Sequence, residues 1–161
     1  MPDALTPLRE MARLHTRLFL NALDGVDDEA AARRPGGRTN NITFVALHAL
    51  DARCWLAGYL GEPLSHPVDE DLKDVESLDD IDTLPPLEDV REAWREASRS
   101  FETLLGRLEA DALTGPSPMP FPIDDTTTLG GLVFMLHHEA FHVGQLALLR
   151  RYAGLDALSY E

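Results

Sequence analysis

The chain is poor in cysteine, in long apolar runs and in basic charge, and each shortage narrows what it can be. Among 161 residues there is one cysteine, Cys54, so no internal disulfide framework can form and a reducing cytoplasm is the expected location. No apolar run reaches the ~18 to 20 residues of a membrane span. The opening MPDALTPLREMARLH has neither the basic start nor the apolar centre of a secretory signal. Fourteen Lys and Arg face 28 Asp and Glu, a formal charge of −14. A surface this acidic repels phosphate backbones and anionic lipid, so neither nucleic acid nor a membrane is an expected partner.

What is present reads as one globular domain over 1–161, with 44% hydrophobic and 26% charged residues. Four helical stretches stand out. The first spans about Leu5 to Leu23, where Leu8, Met11, Leu14 or His15, Leu18 and Ala22 recur at helical spacing. Gly25, Pro35, Gly36 and Gly37 then break the pattern. Asn40 or Asn41 caps a second helix running to about Leu60. Ile42, Phe44, Val45, Leu47, Ala49, Ala52, Trp55, Leu56 and Tyr59 give it a wide apolar surface.

Gly61 to Pro86 is a long connection with eight acidic residues and one basic residue between Asp69 and Asp82. It lacks the glycine-centred carboxylate spacing of a calcium loop, so a solvated crossover is expected. A connection of that length lets the flanking helices run side by side in one direction. The third helix, about Leu87 to Leu108, carries Val90, Trp94, Ala97, Phe101, Leu104 or Leu105 and Leu108 on one stripe. Prolines at 116, 118, 120 and 122 keep the next segment out of helix. The fourth helix starts from a cap among Thr126 to Thr128 and ends near Tyr152, with Gly154 as its stop. No β alternation of useful length and no repeat is visible. The expected fold is all-α, a four-helix bundle with a long crossover between the second and third helices.

The chemistry concentrates in His137-His138-Glu139-Ala140-Phe141-His142-Val143-Gly144-Gln145. Residues four apart differ by only ~40° around a helix, so His138 and His142 can reach one ion. One helix face cannot surround a metal, and His48, mid-helix among Val45, Ala52 and Trp55, is the best third ligand. Alone, His48 would read as a hydrogen-bonded core histidine. Three convergent neutral imidazoles instead call for a cation. Gln145 shares their face and is a candidate to hold a ligand or a bound water, as is Asp51, three residues past His48. His137 reads as a packing residue, His15 as partly buried on the first helix, and His66 as exposed in the proline-rich connection. Cys54 lies ~240° around the helix from His48 and reads as a small buried hydrophobe.

Residues 138–142 also spell His-Glu-x-x-His, the zinc-protease pattern in which Glu139 would be the general base. The later histidine of the extended motif is missing, and no edge strand exists to hold a peptide. The match reads as coincidence within a helix.

Asn-Asn-Ile-Thr-Phe-Val-Ala-Leu-His at 40–48 and His-Glu-Ala-Phe-His-Val-Gly-Gln at 138–145 resemble the DinB-like superfamily of damage-inducible, YfiT-type metal-dependent proteins. The resemblance spans nearly the whole chain in length and helix order. It implies a four-helix bundle, a three-histidine site for zinc, nickel or iron on His48, His138 and His142, and homodimers. It also implies kinship with enzymes that transfer or isomerise with low-molecular-weight thiols such as mycothiol or bacillithiol. Three functional readings follow. One is a metal-dependent thiol S-transferase acting on a small molecule, with Gln145 and Asp51 supporting the site. A second is a hydrolase using bound water, which needs Asp51 or Glu139 to face the metal. The third is a non-enzymatic, metal-stabilised stress or interaction module, its site closed by a fourth ligand such as His15.

Overall fold

The computed structural model describes residues 5–66, 78, 81 and 83–161. The acidic stretch expected to form a solvated crossover lies, apart from Leu78 and Ile81, outside these residues. Among them the chain is all-helical, with five α-helices and no strand. Helix α1 (Thr6–Leu23) begins with a proline in its first turn and buries Ala12, His15, Leu18, Phe19, Ala22 and Leu23. The breaker-rich segment after it still holds a short helix, α2 (Asp28–Ala32), because Asp27 accepts from the Ala30 amide at 2.8 Å. Gly36 and Gly37, both at positive φ, then turn the chain.

The expected second helix is α3 (Ile42–Tyr59), capped by Asn41, whose Oδ1 accepts from the Phe44 amide at 2.8 Å. Helix α4 (Leu87–Arg107) buries the anticipated stripe of Val90, Trp94, Ala97, Phe101, Leu104 and Leu105. Helix α5 (Thr128–Tyr152) is capped by Thr127, and Gly154 follows it at φ 85°. Helices α1 and α3 each pack against both α4 and α5. No helix is long and apolar enough to cross a membrane among the described residues.

Helix ends leave carbonyls without partners, and three arginines supply donors to them. Arg91 donates to the carbonyls of Leu23 and Val26, and Arg150 to those of Asn21, Ala22 and Asp24, closing the C-terminal end of α1. Arg9 does the same for α4 through Leu105 and Leu108, both at 2.8 Å.

The apolar interior is divided. One cluster gathers Phe19, Leu50, Trp94 and Leu146, with Phe19 stacked on Trp94 at 3.8 Å. The other gathers Leu56, Phe101, Leu132 and Leu136. Between the two levels, each long helix contributes a polar group: His15 and Thr16 from α1, Arg53 from α3, Ser98 from α4 and Glu139 from α5. Arg53 donates to Glu139 Oε2 at 2.8 Å and Oε1 at 2.6 Å, to Thr16 Oγ1 at 2.7 Å and to Ser98 Oγ at 2.5 Å. Its guanidinium also lies 3.8 Å from the centre of the Trp94 ring. Every partner is satisfied, as a buried charge requires.

The segment between α4 and α5 is pinned without being helical. The Ser117 amide donates to the Thr126 carbonyl at 2.8 Å and Thr128 to that of Gly115 at 2.9 Å. Tyr59 Oη meets Ser117 Oγ at 2.9 Å, tying this loop to α3.

Candidate metal centre

Helix α3 carries His48 and α5 carries His138 and His142, and the packing of these two helices brings the three imidazoles together. One potential ligand atom from each lies within 4.8 Å of the other two. His138 and His142 face each other through Nε2 at 3.1 Å. The ring of His48 stands edge-on to both, at centroid distances of 5.5 Å and 4.6 Å. Gln145, one turn further along α5, lies with Oε1 2.8 Å from His142 Nδ1. An amide oxygen only accepts, so His142 carries its proton on Nδ1 and presents a bare Nε2 lone pair. His138 Nε2–H then donates to it, which leaves His138 Nδ1 buried and without a hydrogen-bond partner.

The electrostatics favour the same neutral state. Burial pushes His142 down to about 4, and the neighbouring His48 and His138 add to the shift against the pull of Gln145. Burial likewise lowers His48, partly offset by Asp51, and lowers His138. Three neutral imidazoles, one with an orphaned nitrogen, suit a divalent cation, which takes lone pairs and asks for no protons. The donor set thus fits a metal.

The centre lies at an open face and not in the apolar interior that the neighbours of His48 suggest in sequence. His48 is exposed, Trp55 on the same α3 face is 41% exposed, and His142 beneath them is buried. Asp51 is also exposed and lies close enough to act on His48 electrostatically. Three further histidines depart from or refine their sequence readings. His15 is fully buried and bound to Glu139 Oε1 at 3.0 Å, away from the cluster. His66 is buried, not exposed, with Nε2 3.9 Å from Asp51. His137 is exposed.

Glu139 does not face the three imidazoles. Burial alone would raise its pKa, but Arg53 and His15 outweigh that and hold the carboxyl below the usual range. Both its oxygens are already taken. Cys54 is buried, as its position on α3 suggested.

Sequence reading missed Arg53. Its signal was present: the one basic residue in the largely apolar α3, ~140° around the helix from His48, has to find an acid if it is buried. Glu139, the one acidic residue of α5, is that acid.

No functionally curated protein matches the chain. Its residues 11–146 match the DinB superfamily, an interval that contains all three clustered histidines, Gln145 and the Arg53–Glu139 pair. The chain belongs to the DinB superfamily.

Proposed function

We propose that His48, His138 and His142 hold one divalent metal ion, zinc, nickel or iron, and that the chain is a thiol S-transferase acting on a small molecule. The observation that carries this reading is a three-imidazole cluster at an exposed face, with Gln145 fixing one ligand's tautomer. Three protein ligands and an open side are the pattern of catalytic sites; structural sites are closed by a fourth. The bound metal would lower the pKa of a low-molecular-weight thiol and so make a thiolate available near neutral pH. Gln145 would hold His142 in orientation, and Asp51, exposed beside His48, would take up the thiol proton.

A hydrolase assisted by Asp51 is the second reading, favoured by the electrostatic reach of Asp51 to His48. The non-enzymatic reading needs a fourth, closing ligand such as His15, and the bond of His15 to Glu139 weighs against that candidate.

The fold around this centre is proposed to be one cytoplasmic four-helix-bundle domain with a long crossover before α4. In support, Arg53 meets Ser98 and Arg107 meets Glu62, the same offset at two levels, as in helices running in one direction. A homodimer completes the proposal, supported by the exposed Val133, Phe141, Leu148 and Tyr152 along one side of α5.

Elemental analysis of protein purified without chelator tests the centre. Near one metal per chain, lost in His138→Ala, is the expected result, and no metal uptake on titration would end the proposal. Conjugation of a thiol to an electrophile that persists in His138→Ala would remove the transferase reading.

A further inference from the structure

Next to the three histidines, the same two helix faces carry an aromatic surface that metal binding does not require, in which Tyr59, Phe121 and Phe134 rest on the core. On α3, Trp55 lies seven residues from His48, on the same face and ~10 Å along the axis. On α5, Phe134 lies one turn before His138. Phe121 joins them, 5.2 Å from Phe134, 5.6 Å from Tyr59 and 6.5 Å from Trp55 between ring centres. Tyr59 stacks on Trp55 at 5.5 Å, covering one side of the indole.

The surface is prebuilt. Phe121 comes from the loop pinned by the Ser117–Thr126 and Thr128–Gly115 hydrogen bonds. Gly131 lets that loop approach α5, since a Cβ there would stand 2.2 Å from Tyr59 Oη and 2.6 Å from Phe121 Cε2. Even so, Trp55 stays 41% exposed, whereas the other tryptophan, Trp94, is wholly buried. A large indole held rigidly and left open beside a candidate metal centre is built for contact.

The charge of the surroundings narrows the ligand. The face comprises Phe44, His48, Asp51, Trp55 and Tyr59 on α3, with Phe134, His138, His142 and Gln145 on α5. Among these described residues there is no arginine or lysine, and the one charged side chain is that of Asp51. Away from the metal itself, an anionic group lying over the rings would meet Asp51 and no cationic side chain of this face.

We infer that Trp55, Phe121 and Phe134 form a specificity subsite for the planar, apolar part of an aromatic substrate whose reacting group sits at the three histidines. This rests on the reading of those histidines as an open, metal-loaded centre. The subsite selects for an aryl group one to two helical turns from the metal-bound atom and against an anionic group in that position.

The test uses the zinc-loaded full chain and two metal-binding probes, acetohydroxamate and 3-phenylpropanohydroxamate, titrated calorimetrically. The phenyl probe is expected to bind about tenfold more tightly in the wild type, the scale of one aromatic contact. Trp55→Ala should bring the two affinities together while leaving acetohydroxamate unchanged, and Trp55→Phe should restore the preference. Tryptophan emission should respond to the phenyl probe and not to acetohydroxamate, because Trp94 is shielded. Acetohydroxamate binding without a phenyl preference, or a preference that survives Trp55→Ala, overturns the subsite and leaves the metal centre standing. Binding of neither probe overturns the open metal centre, and the subsite with it.

Discussion

Glu139 receives Arg53 through both carboxylate oxygens, at 2.6 Å and 2.8 Å, and this contact turns the acid away from the imidazole of its chain neighbour, His138. One residue on a helix is ~100° of rotation, enough to put a ligand on the outer face and a structural anion in the interior. The His-Glu-x-x-His string therefore has two separate physical roles here. Its histidines belong to the open cluster, and its glutamate belongs to the polar layer joining all the long helices.

Removing the glutamate is accordingly a folding experiment. Glu139→Ala leaves the Arg53 guanidinium buried without its anion, and the expected cost is about 3–5 kcal/mol. Arg53→Met should cost a comparable amount by stranding the carboxylate. The double variant Arg53→Met/Glu139→Met should lose much less than the sum, because no uncompensated charge remains. Urea unfolding of the three variants measures this. Additive losses would show that the pair is not coupled.

The apolar spacing made the long helices legible, since one wet face and one dry face is a local pattern. Asn41 and Thr127 were readable as caps for the same reason: a cap acts within three residues. The histidine pair at 138 and 142 was equally local, and His48 joined it through its position mid-helix. The pairing of Arg53 with Glu139, the burial of His66 and the depth of the site were not readable. Each depends on which helix faces which, a long-range outcome with no short-range mark. The apolar neighbours of His48 suggested an interior site, yet Trp55 and the histidine itself line an open face. The short helix α2 was hidden by the glycines and proline around it, although Asp27 was a cap in plain view.

Gln145 gives a prediction that separates orientation from stability. Its oxygen fixes the proton of His142 on Nδ1, at 2.8 Å, so that Nε2 is free to bind. Gln145→Leu keeps the size of the side chain and removes the acceptor. Metal affinity should fall about 10- to 100-fold, the usual effect of losing such a support. The melting temperature of the metal-free protein should stay within a few degrees. Competition titration with a chromophoric chelator gives the affinity, and an unchanged value would refute the role.

The metal-free protein should weaken as the solution is acidified through the histidine range. His142 is held down to about 4, against 6.5 for the ordinary side chain, and His48 and His138 are lowered as well. Between those values the unfolded chain binds protons that the native state refuses. Stability is then complete above about pH 6.5 and is lost as the pH falls toward 4. His142 alone sets a slope of up to about 1.4 kcal/mol per pH unit. Glu139, whose carboxyl is also held low, adds its own loss only further down, below the usual carboxylate range. Urea unfolding of chelator-treated protein at pH 7, 6 and 5 measures the slope. His142→Leu should flatten it, and an unchanged slope in that variant would assign the effect elsewhere.

Gly131 supplies the sharpest steric prediction. A methyl group there would meet Tyr59 Oη at 2.2 Å and Phe121 Cε2 at 2.6 Å, so both rings must move. Moving Tyr59 strains its hydrogen bonds to Ser117 Oγ, at 2.9 Å, and to the Thr128 carbonyl, at 3.3 Å. Those bonds tie the loop to α3, so the strain spreads to Phe121 and to the indole stacked on Tyr59. Gly131→Ala should cost about 1–3 kcal/mol, as overpacking does, despite the better helix propensity of alanine. Gly144 on the same helix is the control, because nothing lies within 4 Å of its added Cβ. Gly144→Ala should stabilise by about 0.5–1 kcal/mol through backbone entropy alone. Thermal unfolding separates the two, and tryptophan emission should shift only in Gly131→Ala, where Trp55 loses its stacking partner. Equal stabilisation by both substitutions would mean that the loop does not rest on α5 as described.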